Sequence, residues 1–168
     1  ITETEINEAK QYLFEKIKSE KIISLILGGP NKYYSFNSDQ IINIFNQIKS
    51  IFVSNGYKVI IIPSMRTPKE TIDLAIKEMS SCGHVVSKVD KQAYLSAYAL
   101  ANYVVVTCDS TSMISEAATS SKPIFVAHMK AKRNNYRFNR FFELFKQMGI
   151  TRDLGEKIES WTYNKHNE

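Results

Sequence analysis

A three-layer α/β/α domain of Rossmann type, with a five-stranded parallel sheet in the order 3-2-1-4-5, is the fold this sequence predicts. Three observations predict it. Five short apolar runs alternate with amphipathic segments of helical period along the chain. The fourth run, Tyr103 to Thr107, is apolar almost throughout, as a strand covered on both faces must be. Right-handed crossovers then restrict the strand order to a few choices.

Residues 4–19 carry Ile6, Ala9, Leu13 and Ile17 on one helical stripe. Ile22 to Leu27 is a buried strand, stopped by Gly28-Gly29-Pro30. Ser38-Asp39 opens a helix with Ile41, Phe45, Ile48 and Phe52 on one face, closed by Gly56. Lys58 to Ile62 is the second strand, ended by Pro63. Thr67-Pro68-Lys69-Glu70 supplies a cap, a proline at the first helical position and a glutamate three residues after the cap. Ile72, Ala75, Ile76 and Met79 follow as the inner face of that helix. His84 to Val89 is a shorter, weaker third strand, and Asp90 caps a helix bearing Tyr94, Leu95, Tyr98 and Ala101. Beyond Thr107, Ser110 or Ser112 caps a helix through Ala118, and Ile124 to Ala127 is the fifth strand. A basic loop with Lys130, Lys132 and Arg133 leads to a helix bearing Phe138, Phe141, Phe142 and Phe145, ended by Gly149. From Thr151 the tail reads as irregular, with an aromatic pair at Trp161 and Tyr163.

The chain has 168 residues, 43% hydrophobic and 23% charged, which suits one globular domain. No apolar run approaches the roughly 20 residues that span a bilayer. Ile1 stands where an initiator methionine would, and no signal-peptide pattern follows it. Residues 1–168 are therefore expected to be a single domain, the C-terminal part of a longer two-domain chain. Cys82 and Cys108 lack the spacing of a metal or redox pair, and two buried or half-buried thiols suit a reducing cytoplasm. His84, His128 and His166 are scattered, so no metal site is expected. The net charge of +5 permits an anionic ligand but is too small and too dispersed to argue for nucleic acid.

The predicted order places the first and fourth strands side by side, where ligands of open α/β sheets sit. The loops leaving them hold Gly28-Gly29-Pro30 and Asp109-Ser110-Thr111-Ser112. Gly28 and Gly29 allow close backbone approach, although two glycines after a strand also simply make a turn. Neither Gly-x-Gly-x-x-Gly nor a Walker loop is present, which disfavours dehydrogenases and phosphate-loop hydrolases. The helix that starts at Ser110 to Ser112 offers free N–H groups and a positive dipole end to an anion, with three hydroxyls in four residues. Asp109 belongs to the same loop. Ser64, Arg66 and Thr67 leave the neighbouring second strand, and Arg66 is placed either for a phosphate or for an ion pair with Glu70. Glu116, one turn into the helix, either accepts the ribose hydroxyls or faces solvent. Lys130, Lys132, Arg133, Arg137 and Arg140 form a basic segment that reads first as a solvated face. No Ser-His-Asp set and no clear acid–base carboxylate pair occurs, so a catalytic base is expected in the upstream domain and the chain alone is expected to be inactive.

Four ordered blocks resemble a known family. They are Leu27-Gly28-Gly29-Pro30-Asn31-Lys32, Ser64-Met65-Arg66-Thr67-Pro68, Val105 through Ala117, and Lys122-Pro123, with Trp161-x-Tyr163 as a closing motif. They are similar to the mitochondrial-fission "elongated mitochondria" family, whose bacterial members are labelled predicted nucleoside-diphosphate-sugar epimerases. More distantly the layout resembles the C-terminal domain of two-domain (GT-B) glycosyltransferases. That resemblance implies a donor diphosphate on the helix after the fourth strand and a ribose on a glutamate such as Glu116. Met65 stands where arginine or serine is usual, and Thr119-Ser120-Ser121 lacks the glycine common before Lys122-Pro123. Three functions follow as expectations: the nucleotide-sugar-binding domain of a glycosyltransferase, a nucleoside-diphosphate-sugar 2-epimerase, or a non-catalytic fission-related adaptor. Expected partners are a nucleotide or nucleotide sugar and the upstream domain, with peripheral membrane association left open. No cofactor is expected, the nucleotide sugar being substrate.

Overall fold

A computed structural model describes residues 1–155 and 157–163. His166 of the sequence reading lies outside the described residues. The elements are α1 (Glu3–Glu8), α2 (Lys10–Ile17), β1 (Ile22–Ile26), α3 (Ser38–Ile51), β2 (Lys58–Ile62), α4 (Lys69–Met79), β3 (Gly83–Val85), α5 (Lys91–Leu100), β4 (Tyr103–Thr107), α6 (Thr111–Ala118), β5 (Ile124–Ala127), α7 (Tyr136–Gln147) and β6 (Thr151–Asp153). They form one all-parallel sheet in the order β3-β2-β1-β4-β5-β6. The predicted order 3-2-1-4-5 is therefore present, with β1 and β4 adjacent in register Ile23↔Tyr103 to Ile26↔Val106.

Among the described residues the sheet has six strands where five were expected. β6 pairs Thr151 with Ile124 at the sheet edge, inside the tail expected to be irregular. A three-residue edge strand with only Thr151 buried needs no apolar run, so hydrophobic periodicity is blind to it. Two further residues of the tail are also tied down. Trp161 donates its indole N–H to the Ile150 carbonyl at 3.2 Å and meets the Phe125 ring at 5.2 Å, and Tyr163 donates to the Lys122 carbonyl at 2.5 Å.

Three further expectations need correction. The helix expected over residues 4–19 breaks at Ala9 into α1 and α2, although its stripe of Ile6, Ala9, Leu13 and Ile17 is buried as expected. β3 starts at Gly83 and stops at Val85, because the chain turns away after Val86 donates to the Ile61 carbonyl. α4 starts at Lys69 with Pro68 in the cap position, so Thr67 is not its cap. The buried face of α4 is Thr71, Ala75 and Met79, four residues apart, while Ile76 is 41% exposed.

Alternation along the strands divides the core into two layers. Ile22, Ile26, Ile60, Ile62, Val104 and Val106 face α5, α6 and α7. Ile23, Leu25, Val59, Ile61, Val105 and Phe125 face α3 and α4, where Ile41, Ile44, Phe45 and Ile48 complete the contact. The two layers hold the strand ends rigidly, and the loops at those ends carry the candidate chemistry.

Cys108 lies within this core, and burial pushes its thiol up to about 11, while Cys82 is only half-buried. Thiolate is the reacting species. A thiol reagent at pH 8 is therefore expected to modify Cys82 alone in the folded protein, with Cys108 reacting only after denaturant unfolds the chain. Two fast-reacting thiols in the native protein would show that the β4 end opens.

Candidate functional site

The C-terminal ends of β1, β2 and β4 meet in a closed hydrogen-bond network centred on Asp109. Its side chain is fully buried. One oxygen, Oδ2, accepts the Gly29 N–H at 3.0 Å and an Arg66 guanidinium N–H at 2.8 Å, and Oδ1 accepts the Thr107 hydroxyl at 2.6 Å. Thr107 Oγ1 in turn accepts the Gly28 N–H at 2.9 Å. Thr67 Oγ1 donates to the Gly28 carbonyl at 2.6 Å and accepts the Ser64 N–H at 2.8 Å. Arg66 reaches back from the β2 loop to donate to the Gly29 carbonyl at 3.0 Å as well. The two glycines are dictated by contact distance. A Cβ on Gly28 would stand 2.0 Å from Asp109 Oδ2, and one on Gly29 would stand 2.1 Å from the Arg66 carbonyl oxygen.

This network gives several predicted site residues internal partners. The Gly28 and Gly29 N–H groups point into the protein, Thr67 is buried, and Arg66 pairs with Asp109 and not with Glu70. The Arg66 side chain remains 42% exposed and borders the opening. Sequence reasoning missed Thr107 and Asn31 as members. Asn31 donates to the Asp109 carbonyl at 2.9 Å, and its side-chain oxygen accepts the N–H groups of Tyr33 and Tyr34. An asparagine directly after Gly28-Gly29-Pro30, where such turns are common, was the available signal.

The start of α6 is different in kind. Ser110 is its N-cap, accepting the Met113 N–H at 3.2 Å. The N–H groups of Thr111 and Ser112, in the first turn, have no helical acceptor. Thr111 is half-buried and Ser112 exposed, and the Ser110 and Ser112 hydroxyls lie 3.2 Å apart. Beside this helix start a cleft of about 280 Å³ opens between β1, α5 and α6. Ile26, Pro63, Val89 and Met113 make its walls apolar, and Ser64, Asp90, Lys91, Tyr94 and Glu116 supply its polar groups.

Glu116 is half-buried and held by a relay. Tyr98 donates its hydroxyl to Tyr94 Oη at 2.8 Å, and Tyr94 donates to Glu116 Oε1. Burial pushes both phenols far above their ordinary range, so they stay protonated and act as donors. Glu116 is thus fixed with one oxygen occupied and the other turned to no partner among the described residues. A pairing across 22 residues has no local sequence signal, and Tyr94 and Tyr98 read only as a helix face.

A wider depression, about 410 Å³, lies by Tyr12, Lys16 and His84 at the edge strand β3, away from the β1–β4 junction. Burial and neighbouring Lys16 push the His84 imidazole below its ordinary range. Among the described residues no group of three or more His, Cys, Asp or Glu could hold a metal ion. No helix among them is long and apolar enough to cross a membrane.

The profile of the family described as Mitochondrial fission ELM1 matches residues 1–168. The chain belongs to this family. It is similar to an uncharacterized protein of Rickettsia prowazekii (strain Madrid E), 29% identical over 157 residues, covering 89% of this chain and 44% of that protein. It is also similar to the mitochondrial fission protein ELM1 of Arabidopsis thaliana, 24% identical over 152 residues, covering 88% of this chain and 35% of that protein. The chain thus spans less than half the length of either relative. The resemblance read from the four sequence blocks agrees with this membership.

Proposed function

We propose that this domain binds a nucleoside diphosphate, as the donor half of a two-domain nucleotide-sugar transferase. The observation that carries the reading is the alignment of the apolar cleft, the fixed Glu116 carboxylate and the open α6 start along one helix. Glu116 lies five residues beyond Thr111, about 7.5 Å along the axis at about 1.5 Å per residue. A diphosphate on the Thr111 and Ser112 N–H groups leaves its ribose about that far along the groove. The free Glu116 oxygen then accepts a ribose hydroxyl, and the base enters the apolar cleft between Val89 and Met113. Arg66 and the Ser110, Thr111 and Ser112 hydroxyls border the phosphates. The glycine loop acts by its shape, since its N–H groups already serve Thr107 and Asp109. That internal closure also favours a second reading, a non-catalytic adaptor that keeps the fold without the ligand.

Calorimetry against UDP, GDP and ADP separates the two readings. At least one is expected to bind, and Glu116→Gln is expected to weaken it by about 1–3 kcal/mol, the worth of a bond to a charged group. Inorganic pyrophosphate, which has no ribose, is expected to lose almost nothing. Equal losses for both ligands would mean that Glu116 acts through the helix alone. No binding of any of the three nucleotides would leave the adaptor.

A further inference from the structure

The α6 start has a second neighbour. On its other side, a cleft of about 380 Å³ is lined by Lys32, Tyr33, Thr111, Arg137, Phe138 and Phe141. It joins three parts of the chain: the segment after the glycine loop, the first residue of α6, and the first turns of α7. Its walls are aromatic and interlocked. Tyr33 meets Phe138 edge-on at 5.2 Å, Tyr34 meets the same ring at 5.6 Å, and Phe141 stacks on Phe145 at 4.3 Å. Asn135 donates to the Tyr34 hydroxyl at 2.9 Å and ties α7 to the glycine-loop segment. Two cations stand in this aromatic setting, Lys32 with its ammonium 5.3 Å from the Tyr33 ring centre, and Arg137. Neither has an acidic partner among the described residues.

Each part of this lining selects a chemistry. Flat aromatic rings pack against the C–H faces of a pyranose. Two cations without counter-charges favour a carboxylate, and a guanidinium does so with a matched pair of N–H donors. Thr111 belongs both to this cleft and to the helix start, so a group attached to the outer phosphate of a diphosphate enters it directly. We infer that this cleft holds the sugar of the donor and that the sugar is acidic, a uronic acid or another carboxylated pyranose. The inference rests on the diphosphate position proposed above, and it adds the class of sugar. Lys32 and Arg137 are then specificity residues: they bind the sugar carboxylate and leave the phosphates to α6.

Sugar 1-phosphates test this without knowledge of the base. Glucuronic acid 1-phosphate and glucose 1-phosphate are titrated into the 168-residue chain while the amide shifts of Tyr33, Thr111 and Phe138 are followed. The uronate is expected to bind about tenfold more tightly than the neutral sugar, the worth of one partly exposed charge-assisted contact. Lys32→Ala and Arg137→Ala are each expected to weaken the uronate more than glucose 1-phosphate, so that the preference falls, and Arg137→Lys to keep part of it. Equal affinity for the two sugars, or a preference that survives both alanine variants, overturns the inference. If a nucleoside diphosphate binds and neither sugar phosphate does, the sugar assignment fails and the nucleotide reading stands. If no nucleoside diphosphate binds either, both fall.

Discussion

Asp109→Ala is expected to destabilise the domain by about 3–4 kcal/mol, the combined effect of two buried donors left without an acceptor and a small cavity. The carboxylate is fully buried and serves three donors from three segments. Its removal leaves the Gly29 N–H and the Thr107 hydroxyl buried and unanswered, at about 1–3 kcal/mol each. A small cavity remains as well. Arg66 adds little, because it is 42% exposed and keeps its bond to the Gly29 carbonyl, so water replaces what Asp109 gave. Arg66→Met is accordingly expected to cost about 1 kcal/mol or less. Asp109→Asn keeps the shape and can turn its carbonyl to Gly29 and Arg66, so it should fall between the two. Urea unfolding followed by circular dichroism measures all three, with the slope checked for constancy. If Arg66→Met costs as much as Asp109→Ala, the network is an ion pair, not a backbone clamp.

That network also marks the boundary of what the sequence discloses. The strands were legible because burial on both faces demands near-continuous apolar runs, broken only by Ser24 in β1, Lys58 at the start of β2 and Thr107 at the end of β4. The Asp90 cap was legible, and the α6 cap was narrowed to Ser110 or Ser112, because a cap is a local event within four residues. The junction of β1 with β4 followed from crossover rules, and with it the meeting of the two unusual loops. What each side chain does there was not legible. Arg66 and Asp109 are 43 residues apart, and Tyr94 and Glu116 are 22 apart. No periodicity links them, and only the folded register brings them together. Thr67 shows the same limit from the other direction. It stands where a helix cap belongs, yet its hydroxyl is taken by the Gly28 carbonyl and α4 begins at Lys69. Tertiary demand overrode a sound local signal.

Gly29→Ala is expected to cost at least about 3 kcal/mol, the upper end of the overpacking range. The reason is distance and not dihedral strain. A Cβ at Gly29 would lie 2.1 Å from the Arg66 carbonyl oxygen and 2.5 Å from its carbonyl carbon. Both are main-chain atoms, so no side-chain rotation relieves the clash, and the β2 loop must move away from β1. That movement pulls on the Gly29 N–H bond to Asp109 and on the Arg66 bond to the Gly29 carbonyl, so the steric cost spreads through the same clamp. Two other glycines serve as controls because their environments differ in kind. Gly149 has open space for a Cβ but sits at φ 75°, where an L-residue costs about 1–2 kcal/mol. Gly155 has its nearest atom at 3.8 Å and no left-handed backbone, so alanine there should be almost neutral. Thermal and urea unfolding of the three variants should therefore rank Gly29→Ala above Gly149→Ala above Gly155→Ala in destabilisation. A Gly29→Ala protein as stable as the Gly155→Ala control would mean that the β1 and β2 loops do not pack against each other, and the candidate site would lose the clamp that shapes it.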